Sequence, residues 1–265
     1  MKNIDKLMYY LQLVLKDDVT LDGKVYEANI NKIQLSNTFF NTDGCISCGC
    51  CCIVEDNVFT QREYDYIMNC TDQQFIDAQL DPEDLHKLKD GIFEEHHTVD
   101  GKDVAVYVHK VTPAPFFVPG KGREVNRCSW TRHPDDTHFY CGIHPVTSIT
   151  CKMPHVRFIK TKNTLSLSMT QYGRNWALGC PIKFDAPKDE KEFNNIKEGR
   201  LVKLRLLKQV GEDLNITNTY LPEIIEYVEN TTWDNYKSRL TRNIIGPDTS
   251  TTTRSTLKLK SKSLF

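Results

Sequence analysis

Apolar residues recur at spacings of three and four from the start of the chain, where Ile4, Leu7, Met8, Leu11, Val14 and Leu15 fall on one face. That period predicts an amphipathic helix. Asp17-Asp18 and Leu21-Asp22-Gly23-Lys24 read as its exit and a turn. Residues 25–40 have mixed character and end in Phe39-Phe40. Thr60-Gln61-Arg62-Glu63 predicts a capping box opening a helix that runs to about Asn69. Asp81-Pro82 predicts a second helix start, with aspartate as cap and proline in the first turn. Val104 to Val108 is a β-rich run and predicts a strand. Pro113, Pro115, Pro119, Gly120 and Gly122 then predict an irregular loop leading to Cys128. His155–Ile159 and Leu165–Gln171, joined by Lys160-Thr161-Lys162-Asn163, predict a hairpin of alternating polarity. Phe193, Ile196, Leu201, Leu204 and Leu207 predict an amphipathic helix over 187–211, and 222–244 reads as helical too.

These elements predict an α+β fold, a small irregular metal-centred domain with a β-hairpin, flanked by N- and C-terminal helices. The expected organisation is an N-terminal helical segment (1–38), a cysteine-rich metal-binding domain (39–185), a C-terminal helical region (186–246) and a flexible tail (247–265). The tail is rich in Ser and Thr, carries Arg254, Lys258, Lys260 and Lys262, and has no acidic residue after Asp248.

The chain has 265 residues, enough for a real core without cysteine staples. Its net charge of −1 provides no global attraction to nucleic acid or to an anionic membrane, so neither is expected as a partner. No stretch reaches 18 apolar residues, and the N-terminus has no signal-peptide pattern. A cytoplasmic, reducing compartment is therefore expected. There, clustered cysteines serve as metal ligands rather than disulfides.

The cysteines carry the chemistry. Cys45-Ile-Ser-Cys48-Gly49-Cys50-Cys51-Cys52 places five of the ten cysteines within eight residues. Five small thiols bury little apolar area, whereas thiolates at this spacing suit a soft metal or an iron–sulfur cluster. Cys45-x2-Cys48-x2-Cys51 matches the first three ligands of a bacterial-type [4Fe–4S] run. A ferredoxin places its fourth cysteine after three intervening residues, followed by proline; here that place is Val54-Glu55, with no cysteine, and the Cys-Pro pair is the remote Cys180-Pro181. Cys51 and Cys52 are adjacent, and in extended backbone neighbouring side chains point to opposite faces. Unless a turn swings both inward, one of them serves a different metal atom or a second centre, and Cys128, Cys141 and Cys151 are the candidates to join Cys52. The eight thiols allow one cluster with spares, two four-thiolate sites, or a cluster plus a zinc. We expect a [4Fe–4S] cluster, with Zn2+ as the alternative, since all-thiolate zinc accepts the same residues. Cys50 reads as a spare, Cys70 as a buried thiol, and His96, His97, His133, His138 and His144 as surface residues. No Gly-rich phosphate loop and no C-x3-C-x2-C radical-enzyme spacing is present.

On these residues the sequence resembles the CxxCGxCC "putative zinc- or iron-chelating domain" family of iron–sulfur-cluster-containing proteins, to which flagellin lysine N-methylases are related. The first motif matches at Cys45, Cys48, Gly49, Cys51 and Cys52. The family's later motif, C-x-I-Y-x-x-R-P-x-x-C-x-x-P, is matched at Cys141, Ile143, Cys151 and Pro154, with His144 for Tyr and Thr147-Ser148 for Arg-Pro. Cys128 and Cys180 also fit the family layout. The resemblance spans roughly 39–185 and implies metal binding. It further implies a protein-modifying, methyltransfer-like activity with a protein substrate. The other expectations are a non-enzymatic, metal-stabilised module that binds a protein partner, or an electron-transfer protein.

Overall fold

The computed structural model of the chain describes residues 7, 10, 19–21, 23–26, 30–45, 47, 51–52, 56–99, 101–118, 123–132, 138–153, 155–161, 163–170, 180–215 and 220–245. The basic tail and most of the segment expected as the N-terminal helix lie outside these residues; Leu7 and Tyr10 are helical and buried.

The architecture is α+β, helices packed around several small sheets. The largest sheet is built from β1 (Val19–Leu21), β2 (Lys24–Tyr26), β5 (Asn57–Phe59), β6 (Ile92–Val99) and β7 (Lys102–His109), in the order β2-β1-β6-β7-β5. Strand β7 forms where the β-branched run predicts it. Its alternation divides the interior, as a two-residue period must. Val104, Val106 and Val108 enter a large core, while Tyr107 packs against a smaller one.

The smaller core is closed by α1 (Gln61–Asn69), α2 (Asp72–Asp77) and α3 (Pro82–Gly91). Thr60 closes the expected capping box, accepting from Glu63 N while the Glu63 carboxylate accepts from Thr60 N at 3.0 Å. Asp81 caps α3 through Glu83 N, with Pro82 in the first turn. The buried residues here include Phe59, Ile67, Phe75, Leu85, Leu88, Trp130, Ile143 and Val146, with Cys128 and Cys141 at the edge.

The large core is covered by α5 (Glu190–Asp213), α6 (Tyr220–Glu229) and α7 (Trp233–Ile245). Phe193, Leu201, Leu204 and Leu207 of α5 are buried, as their spacing predicts. The stretch expected as one helix over 222–244 is two. Thr231 and Thr232 interrupt it, the Thr231 hydroxyl bonding Tyr227 O and the Thr232 hydroxyl receiving Asn235 N. Threonine competes for local backbone groups and favours such breaks.

The predicted hairpin is present as β12 (Val156–Lys160) and β13 (Thr164–Met169), antiparallel from Val156↔Met169 to Lys160↔Leu165. It gains a third, parallel partner, β3 (Lys32–Leu35), from the mixed stretch before the cysteine run. Residues on both sides of the expected boundaries at 38 and 185 share the one large core.

The proline-rich segment is not the irregular loop expected from its composition. Pro113–Val118 (β8) and Arg123–Cys128 (β9) pair as an antiparallel ribbon from Val118↔Arg123 to Pro113↔Cys128. Both strands of a two-stranded ribbon are edges, so a residue without an N–H costs no ladder bond when that side faces outward.

A half-buried imidazole, His109, and a buried one, His155, give the fold an acid sensitivity. Burial holds His109 and His155 below the ordinary histidine range, despite bonds to backbone carbonyls that act the other way. A depressed value means that the unfolded chain takes up the proton first. The stability each contributes is present above about pH 6.5 and is lost as pH falls below it. Urea unfolding at pH 7.5 and 5.5 is expected to show a smaller acid loss in His155→Phe than in the wild-type chain. An equal loss in both would contradict this assignment.

Candidate metal centre

The cysteine run is entered through β4 (Thr42–Asp43), whose antiparallel partner β14 (Phe184–Asp185) follows Cys180. The register pairs Phe184 with Asp43, and Gly44 N then donates to Lys183 O at 2.9 Å. The segment leading into Cys45 therefore runs beside the one leading out of Cys180-Pro181, which are 135 positions apart in sequence. Arg200, buried on α5, fixes this entry by donating to Phe39 O at 3.1 Å and Asn41 O at 2.9 Å. Phe39 and Phe40 belong to the large core, where Phe40 packs against Phe193 and Tyr236.

Beyond Cys45 the chain turns through Ser47, at φ +54°. This left-handed conformation is uncommon for a residue with a β-carbon and costs of order 1 kcal/mol. It accompanies two bonds: Ser47 N donates to Cys45 Sγ at 3.4 Å, and Phe139 N donates to Ser47 O at 2.7 Å. The second ties the first cysteine turn to the strand that carries Cys141. Cys48 and Cys50 lie outside the described residues.

Four further candidate ligands are Cys52, Cys128, Cys141 and Cys151. Cys128 ends β9, and Cys141 lies in β11 (Tyr140–Cys141), which pairs with β10 (Thr131–Arg132) in the register Thr131↔Cys141. Cys151 lies on the short helix α4 (Ile149–Lys152). The first amide of that helix, Ile149 N, donates to Glu63 Oε1 at 2.8 Å, so the capping-box carboxylate of α1 also anchors the Cys151 turn. Cys151 Sγ donates to Asn57 Oδ1 at 3.6 Å.

Two of these thiols are shifted by burial and by their neighbours. Burial pushes the Cys128 thiol up to about 12, with the thiols of Cys151 and Cys52 adding to the rise and Trp130 N–H opposing it. Burial likewise pushes Cys141 up, reinforced by Cys151, Cys52 and Cys128 and opposed by Ile143 N–H. Cys52 and Cys151 thus act on both Cys128 and Cys141, and Cys128 acts on Cys141. Cys45, Cys128 and Cys141 also share a local device, because each receives the backbone N–H two residues on. An N–H aimed at sulfur favours its anionic form.

Among the described residues no three His, Cys, Asp or Glu side chains converge tightly enough to hold a metal ion as placed, and no disulfide links the described cysteines. Cys70 is buried within the smaller core, as expected. His96, His138 and His144 are exposed, and His97 is half-buried.

Sequence reasoning did not single out the residues that support the second group. Asp84, buried on α3, pairs with Arg132 of β10, which also donates to Ser129 O at 2.7 Å. Gly142 follows Cys141 and donates to Trp130 O at 2.7 Å. A β-carbon at Gly142 would stand 2.4 Å from Asp84 Oδ2. A glycine directly after a cysteine was the one legible signal; nothing in the sequence pointed to Asn57 or Asp84.

Comparison with known proteins supplies no relative: no family model, no curated protein and no solved structure matches the chain. Among the described residues, no helix is long and apolar enough to cross a membrane.

Proposed function

We propose that this chain is a thiolate metal-binding protein with two centres. One draws on Cys45, Cys48 and Cys51 with Cys180; the other is made by Cys52, Cys128, Cys141 and Cys151. The observation that supports this reading is that Cys52 and Cys151 act on the buried thiols of Cys128 and Cys141, four residues from four separate chain segments.

The residues fit such a group chemically. Cys128 and Cys141 are disfavoured as free thiolates by burial and by their neighbours, which makes them poor nucleophiles. A bound cation reverses that balance, because ligation and loss of the proton are one event. The backbone N–H groups at Trp130 and Ile143 are already directed at the sulfurs they would stabilise. Asn57, 2 % exposed, keeps Nδ2 without an acceptor beside Cys151, a spare donor where a sulfur acceptor would lie.

For the first centre the C-x2-C-x2-C spacing and the remote Cys-Pro favour [4Fe–4S] over zinc. A bound iron–sulfur cluster supplies one-electron chemistry. The chain's own part is to hold the thiolates, exclude water with the smaller core and keep the Cys151 corner exposed. A methyl transfer to a protein lysine rests on the resemblance to the CxxCGxCC family alone.

The test is the metal content of anaerobically purified protein. A brown protein with acid-labile sulfide and about four irons per cluster fits the cluster reading. A colourless protein with one zinc per site keeps the thiolate centres but removes the cluster. Protein purified with neither metal, and unable to take up either on reconstitution, would sink the proposal.

A further inference from the structure

The amide of Asn57 stands at the Cys151 corner of the second group, and its two ends are in different states. Asn57 opens β5 and is fixed by the pairing Asn57↔His109 across to β7. It is 2 % exposed, so solvent cannot satisfy its polar atoms. Oδ1 accepts from Cys151 Sγ at 3.6 Å, whereas Nδ2 has no acceptor. A buried donor left unpaired is costly and calls for an explanation.

The explanation lies in what ligation does to the sulfur. As a thiol, Cys151 has a proton to give, and a carbonyl oxygen is its natural partner. A metal-bound sulfur carries no proton and only accepts. An amide oxygen facing it is then repelled, while an amide N–H facing it is bonded. Oδ1 and Nδ2 occupy nearly equivalent places in a planar amide, so a half-turn about the last side-chain bond exchanges them. The backbone N–H groups at Cys128 and Cys141 give those sulfurs a donor each. Among the described residues no backbone N–H is directed at Cys151 Sγ, and the Cys151 N–H itself is taken by Ser148 O at 3.0 Å. Asn57 already touches Cys151 Sγ and carries a spare N–H.

We propose that Asn57 is the positioning residue of the second centre, turning its amide to give an N–H···S bond to metal-bound Cys151 and so setting how firmly that corner holds metal. The inference rests on the two-centre reading above. The predicted consequence is selective, because Asn57 is placed at Cys151 and at no described cysteine of the first centre.

The experiment follows metal loss from the holoprotein to a chromophoric chelator under anaerobic conditions, with the melting temperature recorded alongside. Two phases are expected, and the phase belonging to the second centre is the one missing in Cys128→Ser. Asn57→Asp keeps the shape and removes the donor; Asn57→Leu removes both polar atoms. Each is expected to speed that phase on the order of tenfold, the usual consequence of losing an outer hydrogen bond to a metal ligand. The other phase keeps its wild-type rate. Wild-type behaviour in Asn57→Asp, or equal acceleration of both phases, would overturn the role of Asn57 and leave the two centres standing. A wild-type protein that holds no thiol-bound metal would overturn the two-centre reading itself.

Discussion

Gly142→Val is expected to destabilise the chain by about 3 kcal/mol or more, because the added side chain has nowhere to go. Its first carbon would meet Asp84 Oδ2 at 2.4 Å, Trp130 O at 3.3 Å and Arg132 Cζ at 3.4 Å. Asp84 is the far end of a side chain and might be thought free to yield, but it is 2 % exposed and paired to Arg132. Displacing it leaves a buried carboxylate without its partner, a large cost in an interior of low dielectric. The clash also presses on the Gly142 N–H bond to Trp130 O that keeps β11 against β10. Cys141 and Cys128 lie on either side of that bond, so the effect reaches the proposed centre as well as the fold. Gly199 is the control. A β-carbon there meets nothing within 4 Å, and Gly199→Ala within helix α5 is expected to be neutral or to gain up to about 1 kcal/mol. Urea unfolding of the two variants checks both, and a Gly142→Val protein as stable as the wild-type chain would contradict the packing described around Asp84.

What the sequence made legible was local. The Thr60–Glu63 box, the Asp81-Pro82 start, the Val104–Val108 run and the apolar period of α5 each specify their element through near neighbours, and all are present. The errors came where the partner was distant. Pro113 and Pro115 read as loop because a proline cannot serve a central strand, and nothing nearby announces that a ribbon has two outward edges. The short run Lys32–Leu35 acquires its strand from β13, about 130 positions away, so it could not be recognised from its own residues.

The candidate site divides the same way. Cysteine spacing and the family layout singled out eight thiols as candidates, and the adjacency of Cys51 and Cys52 raised a second centre as one of three arrangements. Burial and hydrogen bonding decide which thiols act on which, and those depend on residues with no signature of their own. Glu63 is an example. Its sequence role is a helix cap, yet its carboxylate also anchors the turn that carries Cys151. Burial raises the Glu63 carboxyl above its usual range, against the bonds from Thr60 and Ile149.

Two cysteine substitutions separate the alternatives most sharply. If Cys52, Cys128, Cys141 and Cys151 form one centre and Cys180 completes another with Cys45, Cys48 and Cys51, then each thiol matters to its own centre only. Removing one thiolate from a four-thiolate site weakens its hold on a metal whose full binding contributes on the order of 10 kcal/mol in small domains. The measurement is therefore the metal and sulfide content per chain of anaerobically purified wild type, Cys128→Ser, Cys180→Ser and the double variant. Each single variant is expected to lose the metal of its own centre and keep that of the other, and the double variant is expected to keep neither. Complete loss in both single variants would mean one shared centre, and wild-type content in Cys128→Ser would remove the second group from the account.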